Sequence, residues 1–203
     1  MKKLFFIISI LYFQTLLAQP KVLQKKMVII GDSLTEGYGV SKESAFPQIL
    51  EKKLNHASPS WQVANSGVSG STTASAVSRV RWMLKSKPDV VFIILGANDG
   101  LRGIKLEKSE KNLAEAIELA QQAQVKVLLG GLYMPPNYGK ESGQRFRAMY
   151  SNLEKKYKVP LVPFILEGVG GNPKLNLPDG IHPNEEGHKV IAETIYKSIK
   201  DHL

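Results

Sequence analysis

The chain has 203 residues, of which 43% are hydrophobic, and it contains no cysteine. This length and apolar fraction suffice for one domain with a sizeable core, while the absence of cysteine excludes a disulfide framework and a lipid attachment site. The formal net charge is +9, but the basic residues are scattered and are not interleaved with stacking aromatic residues, which argues against a nucleic-acid-binding protein.

The first 18 residues have the pattern of an export signal. Two lysines precede an apolar run over residues 4–13, and Ala18 offers a small residue for cleavage. The run is far shorter than the roughly 18–20 residues that a membrane-spanning helix needs. We therefore expect a signal peptide over residues 1–18 and a single mature domain over residues 19–203, in the periplasm or secreted. Cleavage would remove two lysines and no acidic residue, which lowers the net charge from +9 to +7.

Five apolar segments alternate with amphipathic helical patterns along the rest of the chain. The segments predicted as strands are residues 27–30, 61–64, 89–95, 125–130 and 159–164. The helical patterns, with apolar residues three and four apart, span residues 46–54, 76–84, 109–124, 142–157 and 185–199. The third segment is apolar on both faces, as in the middle of a parallel sheet, while two prolines place the last segment at an edge. This alternation predicts a three-layer α/β/α sandwich with a five-stranded parallel sheet in the flavodoxin-like order 2-1-3-4-5.

The first predicted strand ends in a turn that carries a candidate nucleophile. The apolar run over residues 27–30 breaks into Gly31-Asp32-Ser33, and a strand that ends in this way delivers the next side chain to the rim of a sheet. The hydroxyl of Ser33 can act as a nucleophile where a base lies nearby. The alternative is a strand-to-helix connection in which Ser33 only caps the helix.

A histidine and an acid that could activate this serine occur in the last long loop. The sequence Asp179-Gly180-Ile181-His182-Pro183 places the acid three residues before the histidine. A serine hydrolase needs such a pair to accept the hydroxyl proton and to orient the imidazole. Taken singly, these residues are also common turn formers. Of the other histidines, His56 and His202 are expected at the surface and His188 on the outer face of the last helix.

The carboxyl ends of parallel strands meet at one edge of a sheet, so Ser33, Gly67, Asn98 and the loop over residues 167–183 are expected to converge there. Acyl transfer also needs hydrogen-bond donors aimed at the oxyanion. The backbone N–H groups of Ser33 and Gly67 and the side-chain amide of Asn98 are the candidates, although a loop asparagine can also serve the backbone alone. Metal binding is disfavoured, because the loop and helix histidines are six residues apart and cysteine is absent.

Four segments of the chain resemble, in order, the four sequence blocks of the SGNH (GDSL) hydrolase superfamily. They are Gly31-Asp32-Ser33-Leu34, Gly67, Gly96-Ala97-Asn98-Asp99 and Asp179-Gly180-Ile181-His182-Pro183. Residues 96–103 and 135–139 further resemble the bacterial periplasmic branch of thioesterases, arylesterases and lysophospholipases. The resemblance extends over residues 27–200, and Ala97 is a small departure from the commoner glycine.

The resemblance implies a serine esterase that hydrolyses acyl ester and thioester bonds through an acyl-enzyme. In this family pattern Ser33 would be the nucleophile, His182 the general base and Asp179 its partner. The oxyanion hole would comprise the N–H groups of Ser33 and Gly67 together with the Asn98 amide. The resemblance implies no metal and no cofactor.

The resemblance also implies how the substrate is held. The loop over residues 100–105 matches a segment that moves over the acyl chain in this branch, so Leu101 and Ile104 are expected to contact substrate. Pro136 and Tyr138, from the second matching segment, are expected to do the same. The alternative is that Leu101 and Ile104 only pack their loop against the domain. The expected substrate is a small acyl ester or a lysophospholipid, and the expected enzyme is a monomer that makes transient contact with a membrane surface.

Two other functions stay open at this point. Members of the superfamily with the same blocks deacetylate exported polysaccharides, so a carbohydrate O-acetyl esterase is an alternative. A non-catalytic phosphate-binding module at residues 31–39 is disfavoured, because the glycines fit neither the dinucleotide-binding nor the P-loop pattern. The sequence also leaves open whether Asp32 only supports the turn or tunes the site.

Overall fold

The computed structural model describes residues 24–56, 60–134 and 139–203, and the predicted signal peptide lies outside these ranges. The strands are β1 (Lys25–Gly31), β2 (Trp61–Gly67), β3 (Val90–Ile94), β4 (Lys126–Gly130) and β5 (Leu161–Val162). The helices are α1 (Ser33–Glu36), α2 (Phe46–Asn55), α3 (Ala76–Leu84), α4 (Ala97–Leu101), α5 (Leu106–Gln122), α6 (Lys140–Tyr157) and α7 (Glu185–Ile199). Short 3₁₀ turns cover Lys42–Ser44, Thr73–Ser75 and Lys200–His202.

The strands form one parallel sheet in the order β2-β1-β3-β4-β5, which confirms the predicted fold. Helices cover both faces, because α2 packs against α7 on one side and α5 packs against α3 and α6 on the other. The central strand β3 is buried along its whole length, as expected of a strand covered on both faces. Burial of this apolar surface is the main contribution that stabilises the fold.

The strand register places three loops side by side at the carboxyl edge of the sheet. Gly31 at the end of β1 is paired with Gly67 at the end of β2 and with Ile94 at the end of β3. The segments that follow these three residues therefore leave the sheet at the same level. This is the edge at which the candidate side chains were expected to converge.

Two short helices, α1 and α4, begin directly after the central strands and are not apparent in the sequence pattern. Asp32 caps α1, because its Oδ1 accepts the N–H of Leu34 at 3.0 Å, and Gly37 ends the helix with a φ of 87°. Helices of four and five residues are too short to show an apolar period. Capping and the following glycine, rather than an apolar stripe, define α1.

The structure also moves several predicted boundaries. β5 contains only Leu161–Val162, because Pro160 and Pro163 on either side have no N–H to donate to the sheet. α5 begins at Leu106 and α6 at Lys140, a few residues before the predicted starts. Within the described ranges, no helix is long and apolar enough to cross a membrane.

His188 does not lie on the outer face of the last helix, as predicted. Its imidazole is buried between α7 and α2, and its Nδ1 accepts the N–H of Phe46 at 3.2 Å. The first N–H groups of a helix lack partners within the helix, and Ala45 before α2 provides no side-chain cap, so His188 supplies the acceptor. Burial lowers the pKa of His188 to about 4.

Candidate active site

Ser33, His182 and Asp179 form a continuous series of hydrogen-bond contacts at the carboxyl edge of the sheet. His182 Nε2 lies 3.0 Å from Ser33 Oγ, and His182 Nδ1 lies 2.7 Å from Asp179 Oδ2. Ser33 is the first residue of α1 and is half-buried. The helix is capped by Asp32, so the hydroxyl of Ser33 is not used as a cap and faces the imidazole.

The loop before α7 holds Asp179 in its ionised form. Asp179 Oδ1 accepts the backbone N–H groups of Ile181 and His182, each at 3.0 Å. The N–H of His182, then the His182 side chain and the N–H of Ile181, lower the pKa of Asp179 to about 2. An ionised Asp179 accepts the Nδ1–H of His182, which leaves Nε2 as the acceptor that faces the serine hydroxyl.

Asp32 is a buried carboxyl group next to the candidate nucleophile. Burial raises the pKa of Asp32 to about 6, although its hydrogen bonds oppose this shift. Arg79 lies nearby and donates to the carbonyl oxygens of Gly31, at 2.8 Å, and of Ser66. This guanidinium therefore joins the ends of β1 and β2 directly below the turn that carries the serine. Arg79 was not predicted as a site residue, because its partners are backbone carbonyl groups, which leave no signal in the sequence.

Asn98 lies at the start of α4 with its amide directed towards the neighbouring loop. Its Nδ2 donates to the carbonyl oxygen of Ser71 at 3.1 Å. The next residue, Asp99, is buried and accepts the N–H of Thr73 at 2.9 Å and the hydroxyl of Ser109 at 2.8 Å. Asp99 therefore ties the loop after β3 to the loop after β2. The role of Asp99 was not predicted, and the one signal in the sequence is an acidic residue in a loop of small residues.

The structure does not support the predicted role of Gly67 as an oxyanion donor. The N–H of Gly67 already donates to Asn65 Oδ1 at 2.9 Å. A Cβ atom at Gly67 would lie 2.0 Å from the backbone nitrogen of Glu36. Glycine is needed here because α1 packs directly onto the end of β2.

Gly70, three residues further along the chain, was not predicted as a site residue. Residues 68–71 form a turn, here called the 68–71 turn, in which the N–H of Ser71 donates to the carbonyl of Val68 at 3.1 Å. Gly70 has a φ of 75°, a conformation that favours glycine in this position of a turn. Within the described part of the chain the Gly70 N–H makes no hydrogen bond. It lies one residue before the carbonyl that accepts the Asn98 amide.

The residues predicted to contact substrate differ in how far they are exposed to solvent. Leu101 ends α4 and is 39% exposed, while Ile104 follows it and is half-buried. The N–H of Ile104 donates to the carbonyl of Asp99 at 2.9 Å, which holds this loop against the base of the site. Pro136 and Tyr138 lie outside the described residues.

Three further apolar side chains are exposed around the same edge, namely Tyr38, Val68 and Ile181. The ring of Tyr38 lies against the imidazole of His182, with 4.5 Å between the ring centroids. Ile181 and Val68 directly neighbour His182 and Gly67 in the sequence, but their exposure depends on the fold and was not predicted. Together with Leu101 they give the rim of the site an apolar character.

These groups supply a nucleophile, a base, a carboxylate and hydrogen-bond donors, which are the parts that nucleophilic acyl transfer requires. In residues 24–56, 60–134 and 139–203, no group of three or more histidine or acidic side chains is arranged to hold a metal ion. The nucleophile, the base and the carboxylate all belong to this chain, so the arrangement can support covalent catalysis with its own side chains.

Comparison with known proteins relates this site to a family. The sequence model of the GDSL-like lipase/acylhydrolase family matches residues 29–190. An arylesterase of Vibrio mimicus is 36% identical over 180 residues, which cover 88% of this chain and 90% of the relative. The Escherichia coli K12 protein described as thioesterase 1/protease 1/lysophospholipase L1 is 35% identical over 179 residues, which cover 86% of this chain and 83% of that protein. A crystal structure of TesA matches with a TM-score of 0.85 at 34% identity, over 88% of this chain and 100% of its own.

Proposed function

The chain belongs to the GDSL-like lipase/acylhydrolase family and is a hydrolase of small-molecule esters, and we propose that Ser33, His182 and Asp179 carry out the hydrolysis. The observation that supports this assignment above the others is the series of contacts from Ser33 Oγ to His182 Nε2, at 3.0 Å, and from His182 Nδ1 to Asp179 Oδ2, at 2.7 Å. Three residues from two distant segments meet here in the order that nucleophilic catalysis needs.

In the first half of the reaction, Ser33 is acylated. His182 Nε2 takes the hydroxyl proton while Ser33 Oγ bonds to the carbonyl carbon of the ester, and the carbonyl electron pair moves to oxygen. The ionised Asp179 stabilises the imidazolium that forms. His182 then gives the proton to the leaving oxygen, or to sulfur in a thioester, as its bond to carbon breaks. The leaving group departs as an alcohol or thiol, and the acyl group stays on Ser33.

In the second half, water replaces the leaving group. His182 takes a proton from a water molecule whose oxygen bonds to the acyl carbon, and a second oxyanion forms. When this intermediate collapses, the bond to Ser33 Oγ breaks and the serine recovers its proton from His182. The product is a free carboxylic acid, and the three side chains return to their starting protonation states.

We assign oxyanion stabilisation to the N–H of Ser33, the Asn98 amide and the N–H of Gly70, in place of Gly67. Ser33 N–H lies in the first turn of a helix, where N–H groups lack intrahelical partners. One amide hydrogen of Asn98 is held by Ser71, and the other makes only a long 3.4 Å contact with Asp32, so it is available to the oxyanion. The Gly70 N–H is without an acceptor in the described part of the chain.

The apolar rim suggests the class of substrate. Tyr38, Val68, Leu101 and Ile181 would contact an acyl chain or an aromatic leaving group near Ser33. We propose acyl esters, including lysophospholipids and thioesters, as substrates, which agrees with the names of the relatives. The same exposed side chains and the positive net charge would favour transient contact with an anionic membrane surface.

We also propose that residues 1–18 are a signal peptide and that the mature domain, residues 19–203, acts as a monomer in the periplasm or after secretion. The residues assigned to catalysis all come from one chain, so the site needs no second copy. Intact-mass measurement of the exported protein, with size-exclusion chromatography, tests both statements.

A serine-directed fluorophosphonate tests the catalytic assignment. Wild type should gain one adduct, located on Ser33 by peptide mass spectrometry, while S33A should gain none and should lose hydrolysis. S78A, which changes an exposed serine of α3, is the control and should behave as wild type. An S33A variant that still hydrolysed esters at the wild-type rate would remove Ser33 from the mechanism.

A series of p-nitrophenyl esters from acetate to palmitate tests the substrate assignment. We expect hydrolysis to extend beyond acetate, because the apolar rim gains contacts as the acyl chain lengthens. Activity confined to acetate would instead favour the alternative function, a carbohydrate O-acetyl esterase.

A further inference from the structure

We propose that Glu36 is a positioning residue for the oxyanion donors, because its carboxylate holds the 68–71 turn against the helix that carries the nucleophile. This proposal rests on the proposed function of Ser33 and Asn98. Glu36 is exposed and stands three residues after Ser33, at the end of α1. It contacts neither Ser33 nor the His182–Asp179 pair through a hydrogen bond within the described residues, so it acts through the turn.

The carboxylate of Glu36 binds one residue of the turn twice. Its Oε2 accepts the backbone N–H of Ser69 at 2.8 Å and also accepts the Ser69 hydroxyl. Both donors belong to the residue directly before Gly70, so the orientation of the next peptide group depends on Glu36.

The backbone of Glu36 is also pressed against the strand that leads into the turn. Gly67 leaves no room for a Cβ, which would lie 2.0 Å from the Glu36 nitrogen. Asn65 Nδ2 lies 3.4 Å from the Glu36 carbonyl oxygen, while its Oδ1 holds the N–H of Gly67. Residues 65, 67 and 69 therefore all meet the last residue of α1. The short helix connects the nucleophile at its first residue to the turn at its last.

The 68–71 turn determines the positions of two proposed oxyanion donors, the N–H of Gly70 and the amide of Asn98. The carbonyl of Ser71 accepts Nδ2 of Asn98 at 3.1 Å, and the N–H of Ser71 closes the turn on Val68 at 3.1 Å. Gly70 lies between Ser69 and Ser71 with its N–H unused in the described part of the chain. If the turn lost its contact with Glu36, the N–H of Gly70 would move, and so would the Ser71 carbonyl that holds the Asn98 amide. Displacements of about 1 Å at such groups reduce rates by about 10²-fold.

We expect Glu36 to act through the length of its side chain, which reaches Ser69, and not through its negative charge. Negative charge develops on the substrate oxygen in the transition state, and a carboxylate nearby disfavours it. Position and charge therefore predict opposite results for two conservative variants. E36Q keeps the length of the side chain and an oxygen that can accept both Ser69 donors, but removes the charge. E36D keeps the charge but is one methylene too short to reach Ser69.

The experiment compares E36Q, E36D and wild type by steady-state hydrolysis of one p-nitrophenyl ester. We expect E36Q to keep most of the wild-type kcat, and E36D to lose about 10-fold in kcat with KM changed less than about two-fold. E43A, which removes an exposed glutamate of the 3₁₀ turn Lys42–Ser44, is the control. Thermal unfolding of each variant identifies any loss caused by unfolding.

Two further measurements separate positioning from a general structural effect. The inhibition constant of a trifluoromethyl ketone, which forms a tetrahedral oxyanion on the serine, should rise in E36D by the factor lost in kcat/KM. The inhibition constant of the product carboxylic acid should not change. In addition, S69A should lower kcat in wild type but should add little to E36D, because both changes act through the same contact.

The proposal is wrong if E36D retains wild-type kcat, or if E36Q loses as much as E36D. It is also wrong if both inhibition constants rise together, since that would indicate general loss of the site. Fluorophosphonate labelling of Ser33 keeps these outcomes distinct from failure of the proposed function. A labelled wild type with a fully active E36D overturns only the role of Glu36, while an unlabelled wild type overturns the mechanism itself.

Discussion

Nδ2 of Asn98 lies 3.4 Å from the buried carboxylate of Asp32, and this contact joins the loop after β3 to the turn that carries the nucleophile. The same carboxylate caps α1 through the N–H of Leu34. Asp32 therefore caps the helix that carries the serine and lies beside the amide proposed to stabilise the oxyanion. Asp179 already occupies the position beside His182, so the proposed mechanism leaves Asp32 a supporting role.

Replacing Asn98 by alanine should lower kcat by about 10²–10³, because the transition state loses one oxyanion donor. KM should change little, since the donor acts mainly on the tetrahedral state. Steady-state hydrolysis of a p-nitrophenyl ester measures both constants. N55A is the control, because the Asn55 side chain bonds to the backbone of Trp61 at the far end of α2, so its loss should affect stability without affecting kcat. Near-normal turnover in N98A would exclude the amide from the mechanism.

Replacing Asp179 by asparagine should lower kcat by roughly 10³–10⁴. The neutral amide cannot stabilise the imidazolium of His182 and no longer fixes its tautomer. The temperature of unfolding should change little, because the Asp179 side chain is 38% exposed. D201N, at an exposed position of the C-terminal 3₁₀ turn, serves as the control. Wild-type turnover in D179N would show that His182 works without this carboxylate.

The raised pKa of Asp32 should make the stability of the protein depend on pH. Its folded-state pKa of about 6 lies above the ordinary value of 3.8, so the folded state holds this proton more tightly than the unfolded chain. The stability contribution is complete below pH 3.8 and is lost as the pH rises through 6, by about 3 kcal/mol in total. We therefore expect the free energy of unfolding, measured with urea from pH 4 to 7, to depend on pH differently in D32N, which has no titratable group at this position.

The pKa of His188 has the opposite effect in nearly the same pH range. Its folded-state pKa of about 4 lies below the ordinary value of 6.5, so its contribution to stability is present above pH 6.5 and is lost as the pH falls through 4. The two effects are similar in size and should nearly cancel in wild type. In H188N, stability should fall from pH 4 to 6, and in D32N it should rise. Parallel profiles in all three proteins would contradict both assignments.

Replacing Gly67 by alanine should destabilise the protein by at least about 1–3 kcal/mol, because the new Cβ has no room beside the backbone of Glu36. The activity of the folded fraction should also fall, since α1 carries Ser33. The matched control is G143A in α6, where an added Cβ meets nothing within 4 Å. There the higher helix propensity of alanine should stabilise by about 0.5–1 kcal/mol. Urea unfolding measures the stability of both variants. Equal stability of G67A and wild type would contradict the close packing of α1 on the end of β2.

The fold and the main catalytic candidates could be predicted because their signals are local. A buried parallel strand such as β3 is apolar along its whole length, and a helix repeats its apolar residues every three or four positions. Ser33 follows a strand directly, and Asp179 stands three residues before His182 in one loop. Parallel topology then implies that these loops share one edge of the sheet, even though 149 residues separate Ser33 from His182.

The tertiary structure alone decided which groups use which hydrogen bonds. The N–H of Gly67 is occupied by Asn65 and that of Gly70 is not, although both glycines look equivalent in the sequence. His188 is buried because the first N–H of α2, 142 residues away, needs an acceptor. Glu36 reaches Ser69 across 33 residues only because β1 and β2 end at the same level. Sequence pattern determines where strands and helices form, but contacts between distant segments depend on how closely their backbones pack, and no local pattern records that distance.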